Sequence, residues 1–105
     1  MVKCIFTVTF RTDLGEGMAL RHWREVHAPL ITDVIGVTGF TQNVVTEHLV
    51  GGWDGVAEIW FESLPAYERA LKSAQWGAVL ADGPNFMDMS ALSAAVVDEV
   101  VIVGR

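Results

Sequence analysis

The amino-acid sequence predicts an α+β fold, a ferredoxin-like sandwich with the element order βαββαβ. Two observations predict it. Four segments have the composition and patterning of strands, and amphipathic helical segments follow the first and the third of them. Two right-handed crossovers on one antiparallel sheet then place both helices on the same face. The 105 residues are enough for one domain, residues 1–105, and too few for two.

The first strand is predicted over Val2 to Arg11. Its even-numbered positions are all apolar and its odd-numbered positions are mixed, which is the alternation of a half-buried strand. Phe6 and Val8 lie on the apolar side, so we expect them to face the helices and a pocket between the two layers. Cys4 shares that side and is expected to be an inert small hydrophobe, because no base accompanies it.

The first helix is predicted after a short turn. Asp13 and Glu16 have the spacing of a capping box, and the helical pattern runs from about Met18 to Ile35. Pro29 lacks a backbone donor in the middle of this pattern and predicts a kink, or two segments joined near His27. One side of the helix is apolar and carries Leu20, Trp23, Val26, His27, Leu30, Ile31 and Val34.

A hairpin, a second helix and a last strand complete the predicted order. Phe40 to His48 and Val56 to Glu62 are the expected second and third strands, joined by a glycine-rich turn. Ser63 is expected to cap the second helix, and a break is expected near Ser73. Ala95 to Val103 is the predicted fourth strand. The expected buried stripe of the second helix is Leu64, Tyr67, Leu71 and Ala74.

The face of the sheet without helices is predicted to be an interface. Ile5, Thr7, Val56 and Trp60 fall on it, and this set is too apolar to remain in water. About half of the chain is apolar (51%), and the mean hydropathy is +0.37, which is high for a domain this small. We therefore expect a homodimer whose two sheets pack face to face across a two-fold axis.

Composition also excludes several partners. The net charge is −6 and the basic residues do not cluster, which argues against nucleic acid or an anionic membrane as the partner. No apolar run approaches the ~18 residues of a transmembrane helix, and no secretory signal is visible. A single cysteine cannot form an internal disulfide. We expect a cytoplasmic protein without a metal or another cofactor.

Three segments resemble signatures of the EthD family. Trp23 to Leu30, WREVHAPL, resembles its helix motif W-x-x-x-H-x-P, Asp54 to Phe61 resembles its third strand, and Asn85 to Asp88 resembles its Phe-x-Asp segment. The resemblance covers nearly the whole chain and implies a dimeric α+β barrel, with a pocket between sheet and helices of one subunit. Ala19 and His22 depart from the family pattern, which often has Phe and Tyr at these positions.

His27 is the main candidate for a catalytic residue. It lies on the apolar side of the first helix, one turn after Trp23, and a histidine suits proton transfer near neutral pH. Burial would favour its neutral form, which can act as a base. The alternative is a core histidine bonded to a carbonyl or a carboxylate. His22 is expected to lie about 140° away around the helix, exposed, and unable to form a metal-binding pair with His27.

Two carboxylates are the other catalytic candidates. Glu58 lies mid-strand and should point towards the sheet of the other subunit. A carboxylate there must be paired, hydrogen-bonded to residues such as Thr7 or Thr9, or protonated, and a structural role is favoured over a catalytic one. Asp88 is expected either to cap its own turn or to orient His27.

The expected pocket suits an aromatic or polyketide-like ligand. Superfamily relatives include lactone isomerases, polyketide cyclases, decarboxylases and monooxygenases without a cofactor, so the resemblance bounds the chemistry only loosely. With His27 as an acid–base group in an apolar pocket, we expect an isomerase, lyase or cyclase without a cofactor that acts on a hydrophobic carbonyl, lactone or polyketide-like compound. A monooxygenase of phenols or anthrones without a cofactor, a haem protein with His27 as axial ligand, and a non-catalytic binding protein remain as alternatives. The expected pocket residues are Phe6, Val8, Trp23, Ile59, Phe61, Trp76 and Phe86.

Overall fold

A four-stranded antiparallel sheet with helices on one face forms the structure, a computed structural model that describes all residues from Met1 to Arg105. The strand order is β2-β3-β1-β4, and the chain visits the elements in the order βαββαβ. The predicted ferredoxin-like sandwich is therefore confirmed. The strands are β1 (Val2–Val8), β2 (Val37–Val44), β3 (Gly55–Phe61) and β4 (Ser93–Val97).

The sheet register separates an apolar face from a mixed one. Successive side chains of a strand point to opposite faces of the sheet. Residues paired across two strands, such as Ile5 of β1 and Glu58 of β3, point to the same face. Towards the helices, β3 contributes Ala57, Ile59 and Phe61, all of which are buried. Lys3, Ile5 and Thr7 of β1 share the helix-free face with Glu58 and Trp60, as the alternation predicts.

The outer strand β4 is shorter than predicted. Val97 pairs with Lys3 of β1, and β1 begins one residue before Lys3, so no partner remains for the apolar residues after Val97. Val100 to Val103 thus has the composition of a strand but no neighbouring strand with which to pair. β1 likewise ends at Val8 instead of Arg11, because the backbone N–H of Phe10 donates to the Asp54 carboxylate (2.8 Å).

The first helical region has three parts. α1 (Met18–His22) continues into a π-helical turn at Trp23–His27 and then into α2 (Ala28–Thr32), which confirms the predicted discontinuity near His27. The N-cap residue before α1 is Gly17, whose φ of 73° lies in the left-handed region that glycine adopts readily. The predicted capping box at Asp13 is wrong, because the Asp13 carboxylate binds the Arg11 guanidinium (2.6 and 2.9 Å) and no side chain caps α1.

The π turn changes which residues of this region face the core. Its backbone hydrogen bonds join residues five apart, so each residue advances less around the axis than in an α-helix. Val26 therefore falls short of the core and is 47% exposed, contrary to the prediction. Trp23 and His27 are buried, and Ile31 and Val34 continue the same side after the turn.

The second helical region follows the prediction in its boundaries. α3 (Leu64–Leu71) begins where Ser63 Oγ accepts a hydrogen bond from the Ala66 N–H (3.2 Å). α4 (Ala74–Asp82) begins with the same contact from Ser73 Oγ to the Trp76 N–H (3.1 Å), so the predicted break is confirmed. Short 3₁₀ turns follow at Gly83–Asn85 and Met89–Ala91.

The predicted stripe of α3 is only partly correct. Leu64 and Leu71 are exposed, whereas Ala66 and Ala70 are buried beside the partly buried Tyr67. Alanine side chains let the helix lie close to its neighbours, and the leucines are left at the two flanks. No helix in the structure combines the length and the apolar character needed to cross a membrane.

Candidate active site

A cavity of about 60 Å³ lies between the sheet and the helices. Its wall is almost entirely hydrophobic, and His27 is the only side chain in it that can carry charge. The volume holds more than one water molecule, which needs about 10–15 Å³ of such space. Of the predicted pocket residues, the structure brings to this wall Phe6, Val8, Trp23, Ile59 and Trp76.

Two predicted pocket residues lie elsewhere in the core. Phe61 contacts Tyr67 of α3 edge-on, with ring centroids 5.4 Å apart, on the helix-covered face but outside the cavity wall. Phe86 is fully buried, but it packs behind the catalytic candidate, with its ring centroid 4.8 Å from that of His27. The cavity-wall residues that follow α4 were not predicted from the sequence, because that stretch has no regular hydrophobic period. They are Met87, Met89 and Leu92.

His27 is held by one ring nitrogen. It lies at the end of the π turn with 5% of its surface exposed, and its Nδ1 is 2.8 Å from Oδ2 of Asp82. Because an ionised carboxylate only accepts hydrogen bonds, Nδ1 carries the hydrogen. Nε2 makes no hydrogen bond to the protein and is the acceptor atom of the neutral ring. Because every fully buried side-chain nitrogen and oxygen has a partner, Nε2 is not completely enclosed.

Asp82 is the residue that sequence analysis missed. It is 8% exposed at the end of α4, and its carboxylate accepts hydrogen bonds from His22, His27 and Asn85. A signal was present in the sequence, because Asp82 continues the three-residue spacing of the buried Trp76 and Val79 on α4. The following Gly-Pro pair favoured a loop at this point instead.

The second imidazole on Asp82 belongs to His22. Its Nε2 lies 2.8 Å from Oδ1 and 3.0 Å from Oδ2, and its side chain is 25% exposed. The prediction that His22 points away from His27 is wrong, because the π turn stacks residues five apart as an α-helix stacks residues four apart. The structure contains no group of three or more His, Cys, Asp and Glu side chains that is placed to hold a metal ion.

The protonation states follow from burial and from these contacts. Burial lowers the pKa of His27, and the hydrogen bond and charge of Asp82 raise it only in part. Burial raises the pKa of Asp82, but hydrogen bonds from Asn85, His22 and His27 outweigh this and leave that pKa below its usual value. At neutral pH the site therefore holds an ionised carboxylate beside a neutral His27.

Asp88 does not meet His27. Its Oδ1 accepts hydrogen bonds from the backbone N–H of Ser90 (3.1 Å) and from Ser90 Oγ (2.6 Å), and the residue is exposed. This is the capping role, one of the two that were predicted. The carboxylate that orients His27 is Asp82.

Glu58 lies on the helix-free face, away from His27. It forms a salt bridge with Lys3 and accepts hydrogen bonds from Thr41 Oγ1 (2.9 Å) and Asn43 Nδ2 (3.0 Å). Glu58 is therefore paired and hydrogen-bonded, which are two of the predicted alternatives, but Thr7 and Thr9 are not its partners. The register explains this, because Thr41 is directly opposite Glu58 on β2, whereas Ile5 is opposite it on β1.

Lys3 joins Glu58 to the chain after β4. Its Nζ lies 2.8 Å from the Glu99 carboxylate and 4.9 Å from the centre of the Trp60 ring. Glu99 also accepts a hydrogen bond from the Trp60 indole (3.3 Å). We call Lys3, Glu58, Trp60 and Glu99 the open-face cluster.

The comparisons with known proteins agree with the fold. Among solved structures, the chain is similar to an ethyl tert-butyl ether d family protein of Bacillus halodurans, with a TM-score of 0.81 at 19% identity, covering 95% of this chain and 99% of that one. A ferredoxin-like dabb family protein of Mesorhizobium loti aligns with a TM-score of 0.76 at 12% identity, covering 94% and 96%. A dimeric ferredoxin-like protein of Thermobifida fusca aligns with a TM-score of 0.73 at 8% identity, covering 91% and 88%.

The sequence itself gives the assignment. No curated protein matches the chain. The family model of the EthD domain matches residues 13–90, which include the helix with His27, the hairpin and Asp82. Because this match spans well over half of the 105 residues, the chain belongs to the EthD family.

Proposed function

We propose that the protein is an enzyme without a cofactor that transfers a proton on a small hydrophobic carbonyl, lactone or polyketide-like aromatic compound. The observation that carries the proposal is the state of His27. Asp82 fixes its Nδ1, while Nε2 has no partner in the protein and the ring lines an apolar cavity. A neutral imidazole with one free nitrogen, held against an apolar pocket, has the requirements of a general base.

The residues of the site divide the work between them. Nε2 of His27 accepts the proton from a carbon next to the substrate carbonyl or from a hydroxyl, and Asp82 stabilises the imidazolium that results. The imidazolium returns the proton to another atom of the same substrate, so no other reactant is consumed. The apolar wall excludes water, which strengthens the interaction between the two charges.

The volume of the cavity limits the size of the substrate. A cavity of about 60 Å³ is small beside the ~300–1,000 Å³ of sites for drug-sized ligands, so we expect a compact compound. Met87 and Met89 form part of the wall, and unbranched methionine side chains repack readily around a ligand.

We also infer that the protein functions as a homodimer through the helix-free face. Val56 and Trp60 lie there, and the 70–85% exposed residues Val100 to Val103 follow directly after Glu99 of the open-face cluster. A related fold is described as dimeric, which agrees with this proposal. Sedimentation should give twice the 11.5 kDa mass of one chain, and a monomer at micromolar concentration would contradict the proposal.

A thermal-shift screen followed by one substitution tests the enzymatic role. Lactones, cyclic ketones and small phenolic compounds are screened first, since a ligand in the cavity raises the melting temperature by mass action. Conversion of each stabilising compound is then followed with the parent protein and with His27→Asn. We expect the substitution to lower kcat/KM by roughly 10²–10⁴-fold, the usual contribution of general acid–base catalysis.

His48→Asn is the matched control. His48 is exposed and hydrogen bonds only to the Trp53 carbonyl (2.9 Å), so its replacement should leave turnover unchanged. Binding without any conversion, equally strong in both variants and in the parent, would favour a binding protein. Oxygen consumption with a phenol would identify the monooxygenase reaction, in which the same base forms the phenolate.

A further inference from the structure

Two histidines from one helical region share a single carboxylate. His22 Nε2 approaches both oxygens of Asp82, at 2.8 and 3.0 Å, and His27 Nδ1 approaches Oδ2 at 2.8 Å. Asn85 Nδ2 donates to Oδ1 (3.0 Å) and completes the set of donors. The function proposed above uses His27 and Asp82 and gives no role to His22.

The two imidazoles differ in their contact with solvent. The side chain of His22 is 25% exposed, whereas that of His27 is 6% exposed. Both rings pack against Phe86, with centroids 5.4 Å away for His22 and 4.8 Å away for His27. Because a charged imidazole loses hydration on burial, the enclosed position of His27 disfavours its charged form.

Few other charges act on this group. Asp82 favours the charged form of His27, and His22 disfavours it. The nearby guanidinium of Arg11 is engaged by Asp13 and by the Pro84 carbonyl (3.0 Å). On the helix itself, Arg21, Arg24 and Glu25 are exposed and make no salt bridge to the site.

The geometry points to His22 as a positioning residue for His27. By sharing the Asp82 carboxylate, His22 fixes its orientation, and its electrostatic effect disfavours the charged form of the neighbouring ring, so that His27 stays neutral and able to act as a base. The inference rests on the proposed function for its consequence, namely turnover. Its physical content, the effect of His22 on the protonation of His27, does not depend on any substrate.

Histidine titration followed by NMR tests the inference without substrate. In the parent protein, the ring resonances of His27 should shift at a pH below the ordinary range of histidine, because burial lowers its pKa. In His22→Phe, which keeps the packing against Phe86, the titration of His27 should move upwards by roughly 0.5–1 pH unit. This is the lower end of the effect of a neighbouring charge, because His22 is partly exposed.

Two further variants separate charge from structure. His22→Gln keeps a donor for Asp82 without a charge, so it should preserve the melting temperature better than His22→Phe and still raise the titration of His27. His48→Gln removes an exposed histidine away from Asp82 and should leave that titration unchanged. If His22 had only a structural role, His22→Phe would lower stability and leave the titration of His27 in place.

The outcomes keep this inference apart from the proposed function. A titration of His27 that stays unmoved in both His22 variants would overturn the inference even if the protein is an active enzyme. Conversely, a shifted titration supports the inference even if no substrate is converted. Where activity is found, the acid limb of the kcat/KM profile in His22→Phe should move to higher pH with the NMR titration.

Discussion

One carboxylate with several polar partners lies on each side of the sheet, Asp82 at the end of α4 and Glu58 on β3. The partners of the two carboxylates differ. On the helix-covered side, Asp82 is bound by two imidazoles and an amide, and an imidazole is a group that can exchange a proton near neutral pH. On the open face, Glu58 is bound by Lys3, whose pKa is raised by the hydrogen bonds that it donates to Glu58 and Glu99, so the pair stays charged. Both arrangements satisfy a desolvated charge, but only the first can move a proton.

The largest difference should appear in catalysis. Asp82→Asn replaces the acceptor of the Nδ1 hydrogen by an amide and removes the charge that stabilises the imidazolium, so kcat/KM should fall by about 10²–10³-fold. Glu58→Gln should change kcat/KM by less than about threefold, because general acid–base catalysis does not involve it. Steady-state kinetics on the two variants measures the contrast, and similar losses in both would remove the distinction between the two faces.

A smaller effect is expected on stability from the open face. Lys3→Met leaves Glu58 without its cation, and the free energy of unfolding should fall by about 1–3 kcal/mol, since the Lys3 and Glu58 side chains are only 11% and 23% exposed. Urea denaturation measures the loss. The double variant Lys3→Met with Glu58→Leu should recover much of it, because no unpaired carboxylate is left in the centre of the strand. A double variant as unstable as Lys3→Met would show that the charge itself is not the cause.

The smallest effect is expected on the pH dependence of stability. His27 and the carboxylates of the open face should affect stability over different pH ranges. The pKa of His27 is lowered in the folded state, so as pH falls below about 6.5 the unfolded chain binds the proton first and stability declines. The pKa values of Glu58 and Glu99 are lowered too, and their contribution is lost only as pH falls below 4.5. His27→Asn should flatten the decline that begins near pH 6.5 and leave the acid decline in place, as measured by urea midpoints across pH.

Topology and one half of the site were predictable from the sequence. Strand alternation fixes which residues face the helices, and the serines before α3 and α4 mark both helix starts. The burial of His27 follows from the apolar side of its helix. The partners of His27 do not follow from this pattern, because a uniform advance of 100° per residue places His22 on another side of the helix. The π turn has no signal in a hydrophobic pattern, and Asp82 was hidden by the Gly-Pro pair that follows it.

Strand ends were less predictable for a related reason. A strand needs a neighbour, and alternation in one segment does not state where the neighbouring segment stops. Val100 to Val103 has the composition of a strand, but β1 begins too late in the register to pair with it. The partners of Glu58 required the same information, since they are determined by register across β2 and β3.

The π turn has a consequence for how such a site arises. A turn that joins residues five apart is what an α-helix becomes when one residue is added between fixed ends, and Val26 is the exposed apolar residue of this turn. One inserted codon in an ancestral helix would therefore have been enough to change which side chains lie below one another, without rebuilding the sheet or the second helical region. Deleting one codon here would restore the α-helical spacing of four between the two histidines, so the reverse of that evolutionary step can be made in the laboratory.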